Sequence, residues 1–279
     1  MVAVDPRVQD PRVPDWVGQE LPEAWADRLG WWGLLRHVLG RRQPVQLPVD
    51  MPLPAEMPKY VLLEFHHLPN GNYSKRFTSS YITGFDRSMI GEMRRARTRI
   101  AGLLADCKSV LDVGTAGGRT AAMLKQRGVP DVWGIDPSPY LLQHAARSHP
   151  GVNFVQSTAE HTPFPNERFE GIAVCFVLHE IPPKYIARCL AEFRRVCKKG
   201  GLLVICEPSP AQLQLGWRSV TKHAGWRGAY FKLLAKLVHE PFVRLWHELD
   251  ARALLATAGF ELASDEEHFP ARYIVARAV

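Results

Sequence analysis

Val110-Leu111-Asp112-Val113-Gly114-Thr115-Ala116-Gly117-Gly118-Arg119 reads as a short apolar strand running through a glycine-rich turn into a helix. Three glycines at such a junction let the backbone turn tightly and come close to a ligand. A dinucleotide fingerprint, G-x-G-x-x-G, starting at Gly114 needs glycine at positions 116 and 119. Ala116 and Arg119 stand there, which disfavours a nicotinamide or flavin cofactor. A phosphate-cradling G-x-x-x-x-G-K-[ST] loop is also missing.

Downstream, apolar runs alternate with helical segments. Residues 118–127 predict a helix ended by Gly128, 132–135 a second strand, 138–148 a helix and 153–155 a third strand. A fourth strand follows at 171–177, a helix at 182–197 and a fifth strand at 201–206. Residues 250–258 add a helix, and the stretch to 273–276 a pair of strands. The pattern predicts an α/β fold: a doubly wound, Rossmann-like, seven-stranded and mostly parallel sheet covered on both faces. Its ligands are expected outside the carboxyl ends of the strands, where strand order reverses.

Upstream the chain differs, with ten of its 22 prolines before residue 70. Residues 23–41 read as a helix on the spacing of Trp25, Leu29, Trp32, Val38 and Leu39, with Arg28, Arg36, Arg41 and Arg42 between them or at its end. Residues 43–58 are an irregular connector, and 60–65 a short strand or helix. Pro69-Asn70-Gly71-Asn72 is a turn, and 87–104 a helix leading into the main domain. The expected division is a proline-rich, partly helical extension over 1–84 and a catalytic domain over 85–279, with a helical insert at 209–249 before the last strands.

The 279 residues are 46% hydrophobic, 23% charged and 10% aromatic, a globular balance that excludes a mostly disordered chain. The longest apolar run, around 171–178, is far below the ~20 residues that span a bilayer. The first seven residues lack the basic and apolar regions of a secretory signal. Five cysteines form no C-x-x-C pair, so reduced thiols and a cytoplasmic location are expected. An excess of 35 Lys and Arg over 28 Asp and Glu gives +7, favouring anionic ligands or surfaces.

The ordered motifs resemble the class I S-adenosylmethionine-dependent methyltransferases. Asp112, Gly114 and Gly118 fit that family's first motif, with Ala116 in place of its usual middle glycine. The likeness continues through Gly134-Ile135-Asp136-Pro137-Ser138, Ser157-Thr158-Ala159-Glu160, Pro163-Phe164 and Phe169-Glu170. Val177-Leu178-His179-Glu180, Lys199-Gly200-Gly201 and Ala258-Gly259-Phe260 complete it. It covers roughly residues 85–279 and is nearest the ubiquinone/menaquinone-biosynthesis type of small-molecule enzyme. The resemblance implies S-adenosylmethionine as cofactor, held by Asp112, Gly114, Thr115, Gly118, Asp136, Pro137, Thr158, Ala159 and Phe176. Physically, Asp112 supplies a field for the ligand's ammonium through water or loop amides. Asp136 lies about where an acidic side chain accepts both ribose hydroxyls. Thr158 and Ala159 border the adenine by family likeness.

Methyl transfer from a sulfonium is an in-line displacement that alignment alone can accelerate, and a base is needed only where the acceptor must lose a proton. His179, after the fourth strand, is the candidate base, with Glu180 orienting it or acting itself. The alternative is that His179 caps the next helix near Pro182. Tyr81 and Phe85 belong to Tyr81-Ile82-Thr83-Gly84-Phe85-Asp86, where relatives lay a helix over the cofactor. With Trp226 and Tyr230 of the insert they are the expected substrate contacts. His66-His67 looks metal-like, but adjacent strand side chains point to opposite faces, and no metal is expected.

The insert's stripe of Trp226, Tyr230, Leu233, Leu234, Leu237 and Val238, with Arg227, Lys232 and Lys236 elsewhere on the helix, is either a lid for a lipophilic acceptor or a helix packed on the sheet. The leading expectation is methylation of a small, lipophilic acceptor at carbon or oxygen. An RNA methyltransferase is the runner-up on charge. Against it, no Asn-Pro-Pro-Tyr-like motif follows the fourth strand and no RNA-binding module appears, so nucleic acid is not the expected partner. A binding protein without turnover is the third class. Segments 25–42 and 226–246 combine Trp with Arg or Lys on amphipathic patterns, which peripheral membrane contact or ordinary core packing both explain.

Overall fold

The computed structural model of the chain describes residues 20–40, 44–54, 56–66, 68–238 and 240–279. The expectations for the first seven residues, Arg41, Arg42, Gln43 and His67 lie outside them.

The sheet comprises β1 (Ser109–Val113), β2 (Asp131–Asp136), β3 (Asn153–Gln156), β4 (Phe169–Cys175), β5 (Cys197–Pro208), β6 (Phe260–His268) and β7 (Ala271–Ala278). Their order is β3-β2-β1-β4-β5-β7-β6, with β1 to β5 parallel and β7 antiparallel between β5 and β6. The seven-stranded, mostly parallel expectation therefore holds. Every residue of β1 is buried. Leu111 and Val113 enter one core layer while Val110 enters the other, as two covered faces require. In β5, Leu203 and Ile205 join the first layer, and Val204 and Cys206 the second.

The helices begin with α1 (Trp31–Leu39), α2 (Lys75–Ser88) and α3 (Glu92–Leu103), followed in the sheet by α4 (Arg119–Gln126), α5 (Pro139–Ser148) and α6 (Pro183–Val196). The insert holds α7 (Ala211–Gln214), α8 (Trp217–Val238) and α9 (Val243–Glu248), and α10 (Ala251–Thr257) precedes β6. Ser138 starts α5 as an N-cap, its hydroxyl accepting from Leu141 N at 3.2 Å with Pro139 at the first helical position.

Several sequence expectations change upstream of β1 and in the insert. Residues 23–41 are not one helix. A 3₁₀ turn, Trp25–Arg28, is separated from α1 by extended backbone at Leu29 and Gly30. The Asp27 carboxylate explains the break, because it accepts from Ser74 Oγ at 2.6 Å and Arg76 N at 2.8 Å and so caps α2 instead. Residues 87–104 are likewise two elements, since α2 stops at Ser88 and Ile90 and Gly91 take positive φ before α3. Helix α2 itself, with Phe77, Tyr81, Ile82 and Phe85 at helical spacing, runs across the expected 84/85 division. Residues 60–65 resolve to a 3₁₀ turn, Lys59–Leu62.

In the insert, α8 is kinked at Ala224 and Gly225. The expected apolar stripe is not a buried face: Trp226 is 68% exposed and Leu237 63%, whereas Phe231 is buried against Met89 and Met93. Lys232 is buried rather than solvated, its ammonium donating to the carbonyls of Gln212 at 3.2 Å and Leu215 at 2.5 Å near the end of α7. Among the described residues no helix is long and apolar enough to cross a membrane.

Candidate active site

The order of strands reverses between β1 and β4, and a cleft of about 1210 Å³ opens there at their carboxyl ends. The glycine-rich turn forms its floor. Gly114 has φ +63°, and a Cβ on it would lie 2.5 Å from Val177 Cγ2, so the turn needs glycine both for its backbone and for its contact with the segment after β4. Gly118, at φ +76°, is packed against Phe154 and Ala145.

Of the expected cofactor residues, Gly114, Thr115, Asp136, Pro137, Thr158, Ala159 and Phe176 line this cleft. Asp112 and Gly118 do not. Asp112 sits beneath the turn, accepting from Thr115 Oγ1 at 2.6 Å and Ala121 N at 3.1 Å. It fixes the turn against α4, and burial pushes its carboxyl up to about 7. Asp136 ends β2 inside the cleft and accepts from Ser138 N at 2.9 Å and Ala116 N at 3.0 Å. Burial raises its pKa, also to about 7, against the pull of those two amides.

Thr158 Oγ1 is buried and has no partner, so the cleft holds a polar atom free to meet a ligand. The Asp86 carboxylate, in the same wall, binds Arg97 through two bonds of 2.6 and 2.8 Å and also binds Arg119. Those charges lie on the glycine-rich side, suited to an amino-acid group. The donor set thus fits an adenosyl amino acid: a carboxylate at the end of β2, an unpaired hydroxyl, and a zwitterion's complement at the turn.

A second cavity of about 1050 Å³ shares Tyr81, Phe85 and Phe176 with the cleft and is walled by Leu68, Met89, Phe231, Leu234, Val238 and Val243 among others. At the shared wall His66 stacks on Tyr81 at 5.3 Å, Tyr81 on Phe85 at 5.9 Å, and Phe85 meets Phe176 edge-on at 6.3 Å. Phe176 holds φ +60°, a costly conformation for a bulky side chain that turns the chain out of β4 two residues sooner than the sequence predicts. Two expected substrate contacts, Tyr81 and Phe85, line both cavities. Trp226 and Tyr230 line neither; Trp226 faces outward, and the Tyr230 hydroxyl donates to Ser88 O at 2.6 Å.

His179 is in neither wall. It is 1% exposed, with Nδ1 against Glu207 and Nε2 3.0 Å from Glu240 Oε2. Burial opposes its charge, but the two carboxylates hold its pKa well above the ordinary histidine value. Burial likewise opposes ionisation of Glu240, yet the charge of His179 beside it draws its pKa down to about 2. Nor is His179 a cap for α6, whose N-cap position, Pro182, has no side-chain cap. The sequence offered base or cap; the fold gives a buried ion pair behind the wall.

Glu180 does line the cleft, and its Oε1 lies 2.9 Å from His66 Nε2. His66 sits in a turn with φ +55°, not in a strand, so the opposite-faces argument against it does not apply. Glu207, Glu240 and His247 went unnoticed because they meet His66 and His179 only through tertiary structure.

Residues 111–205 match the family model of a methyltransferase domain. The demethylmenaquinone methyltransferase of Chlorobaculum tepidum is 33% identical over 99 residues, covering 36% of this chain and 40% of the relative. That of Thermobifida fusca is 35% identical over 118 residues, 39% of this chain and 49% of the relative. The chain thus spans less than half the length of these curated relatives. Two solved structures share the fold. One is a chain of the Haloferax volcanii complex between the Trm112 methyltransferase activator and a methyltransferase, with TM-score 0.51, 14% identity and coverage of 73% of this chain and 96% of that one. The other is a Thermotoga maritima S-adenosylmethionine-dependent methyltransferase, with TM-score 0.50, 18% identity and coverage of 74% and 97%. Residues 111–205 thus carry a methyltransferase-domain match, and the sheet with its cleft has the fold of S-adenosylmethionine-dependent methyltransferases. Over the matched stretch the sequence is similar to the menaquinone and ubiquinone enzymes.

Proposed function

We propose that the protein transfers a methyl group from S-adenosylmethionine to a small lipophilic acceptor, at carbon or oxygen. The observation that carries this reading is the second, largely apolar cavity meeting the cofactor cleft at Tyr81, Phe85 and Phe176. Its walls are mostly apolar and aromatic, as in small-molecule sites. Similarity to demethylmenaquinone methyltransferases makes a quinol-like ring the nearest acceptor chemistry, although the first 110 residues lie outside the family match.

When bound, the cofactor supplies an electrophilic sulfonium methyl. Asp136 holds the ribose hydroxyls, Thr158 and Ala159 border the adenine, and Asp86 with Arg119 takes the amino-acid end. Phe176, Tyr81 and Phe85 present ring faces at the junction, which favour a sulfonium cation on one side and a planar acceptor on the other. Glu180 accepts a hydrogen bond from the acceptor hydroxyl, fixes the nucleophile in line and takes the proton that methylation releases. His179 and Glu207 act as positioning residues behind it. Exposed Trp31 and Trp32 on α1 and Trp226 on α8 also support a peripheral membrane contact from which such an acceptor enters.

Incubation with methyl-labelled S-adenosylmethionine and fractionated cell extract tests the reading. Label in the organic-soluble small-molecule fraction is expected. Label confined to RNA would replace the acceptor class, and no label in any fraction would leave a binding protein.

A further inference from the structure

Among the described residues, one group of side chains has the makings of a metal centre, and methyl transfer as proposed above does not call for one. A ring nitrogen of His66 and a carboxylate oxygen each of Glu180 and Glu240 lie within 4.8 Å of one another. Ligands about 2.0–2.2 Å from a common ion stand roughly 3–4 Å apart, so rotamer-scale tightening closes the group. The three come from separate segments: the N-terminal extension, the turn after β4 and the turn after α8. Tertiary structure, not local sequence, assembles them.

A second observation points the same way. His179 Nε2 is buried and ion-paired at 3.0 Å with Glu240 Oε2, without the alignment of a hydrogen bond. Both ring nitrogens of His247 are buried and unpartnered, and His247 lines the second cavity together with His66 and Glu240. Native structures rarely leave buried nitrogens unsatisfied without an ion or water to meet them. A chain of carboxylate–imidazole contacts satisfies His66, Glu180 and His179 but leaves the two His247 nitrogens without a partner beside the group.

We propose that His66, Glu180 and Glu240 bind a first-row divalent transition-metal cation in the wall between the two cavities. One imidazole with two carboxylates is a donor set for zinc, manganese, iron or cobalt rather than for magnesium or calcium, which take oxygen ligands. Three protein ligands leave open coordination positions. Glu180 belongs to the cofactor cleft, whereas His66 and Glu240 belong to the second cavity. In a role that rests on the proposed methyl transfer, an open position takes an oxygen of the acceptor and holds it beside the cofactor.

The test strips the full-length protein with chelator, then titrates it with Co²⁺ followed by visible absorption and with Zn²⁺ followed by calorimetry, with Mg²⁺ as the control. One equivalent of Co²⁺ or Zn²⁺ per chain is expected, with Mg²⁺ far weaker. His66→Ala and Glu240→Gln should each weaken binding at least about tenfold. S-adenosylhomocysteine affinity, measured on the same samples, reports folding and the cofactor site separately, so loss of metal binding alone leaves the methyltransferase reading standing. Absence of saturable Co²⁺ binding by the wild-type protein up to about 1 mM overturns the proposal. So does undiminished binding by a Glu180→Gln, Glu240→Gln variant that still binds S-adenosylhomocysteine.

Discussion

Nε2 of His66 lies 2.9 Å from Oε1 of Glu180, joining the N-terminal segment to the turn after β4. That contact makes the extension part of the site rather than an appendage. Asn70 anchors the same segment, accepting from Trp25 Nε1 at 3.0 Å and Gln46 N at 2.7 Å. Ser138 at the end of β2 donates to Asn72 O at 2.5 Å. Tyr60, Phe65, Asn72 and Tyr73 of this segment accordingly wall the cofactor cleft.

Asp136→Ala should weaken binding of S-adenosylhomocysteine. Removing a charged acceptor of two ribose hydroxyls costs on the order of 1.5–3 kcal/mol, roughly a 10- to 150-fold rise in Kd by calorimetry. A folded variant with unchanged affinity removes Asp136 from the site.

Cofactor affinity should also depend on pH. The Asp136 carboxyl is held near pH 7 by burial; above that it is an anionic acceptor, and below it is neutral and binds ribose less well. Affinity should fall about tenfold between about pH 8 and about pH 6, and Asp136→Asn should flatten the profile. A flat wild-type profile contradicts the assignment.

His179→Ala is expected to act on stability first. It leaves Glu207 and Glu240 buried without their shared cation, a loss of about 3–5 kcal/mol in ion pairs of this kind. Glu180→Gln, in contrast, should lower turnover roughly 10²–10⁴-fold while the melting temperature stays nearly unchanged. The reverse pattern, a stable His179→Ala protein with no turnover, would return the catalytic role to His179.

The sheet and its cofactor loop were legible because their determinants are local. Three glycines, an acid at the end of β2 and a 3.6-residue or two-residue periodicity each sit within one element. The far side of the site was not legible. The first turn of helix α2 is capped by Asp27, 47 residues upstream of Ser74. The ion-pair chain through Glu207, His179, Glu240, His66 and Glu180 joins four segments whose spacing carries no motif. Lys232 reads as a solvated cation until α7 places its carbonyls around it.

Membrane contact is tested on α1, because Lys232 of the insert is buried and its charge reversal would damage the fold. Trp31→Ser with Trp32→Ser removes two side chains that are 73% and 72% exposed. Co-sedimentation with anionic vesicles at low salt should occur for the wild-type protein and fall severalfold in this variant. Equal binding by both, or none by either, rules out α1 as a membrane contact.

If the two cavities are the donor and acceptor halves of one methyl-transfer site, a crystal structure of the complex with S-adenosylhomocysteine will show it. Ribose hydroxyls on Asp136, adenine beside Thr158, and the sulfur at the wall of Tyr81, Phe85 and Phe176, facing the second cavity, are expected. A ligand bound elsewhere, or one whose sulfur points away from that wall, would contradict it.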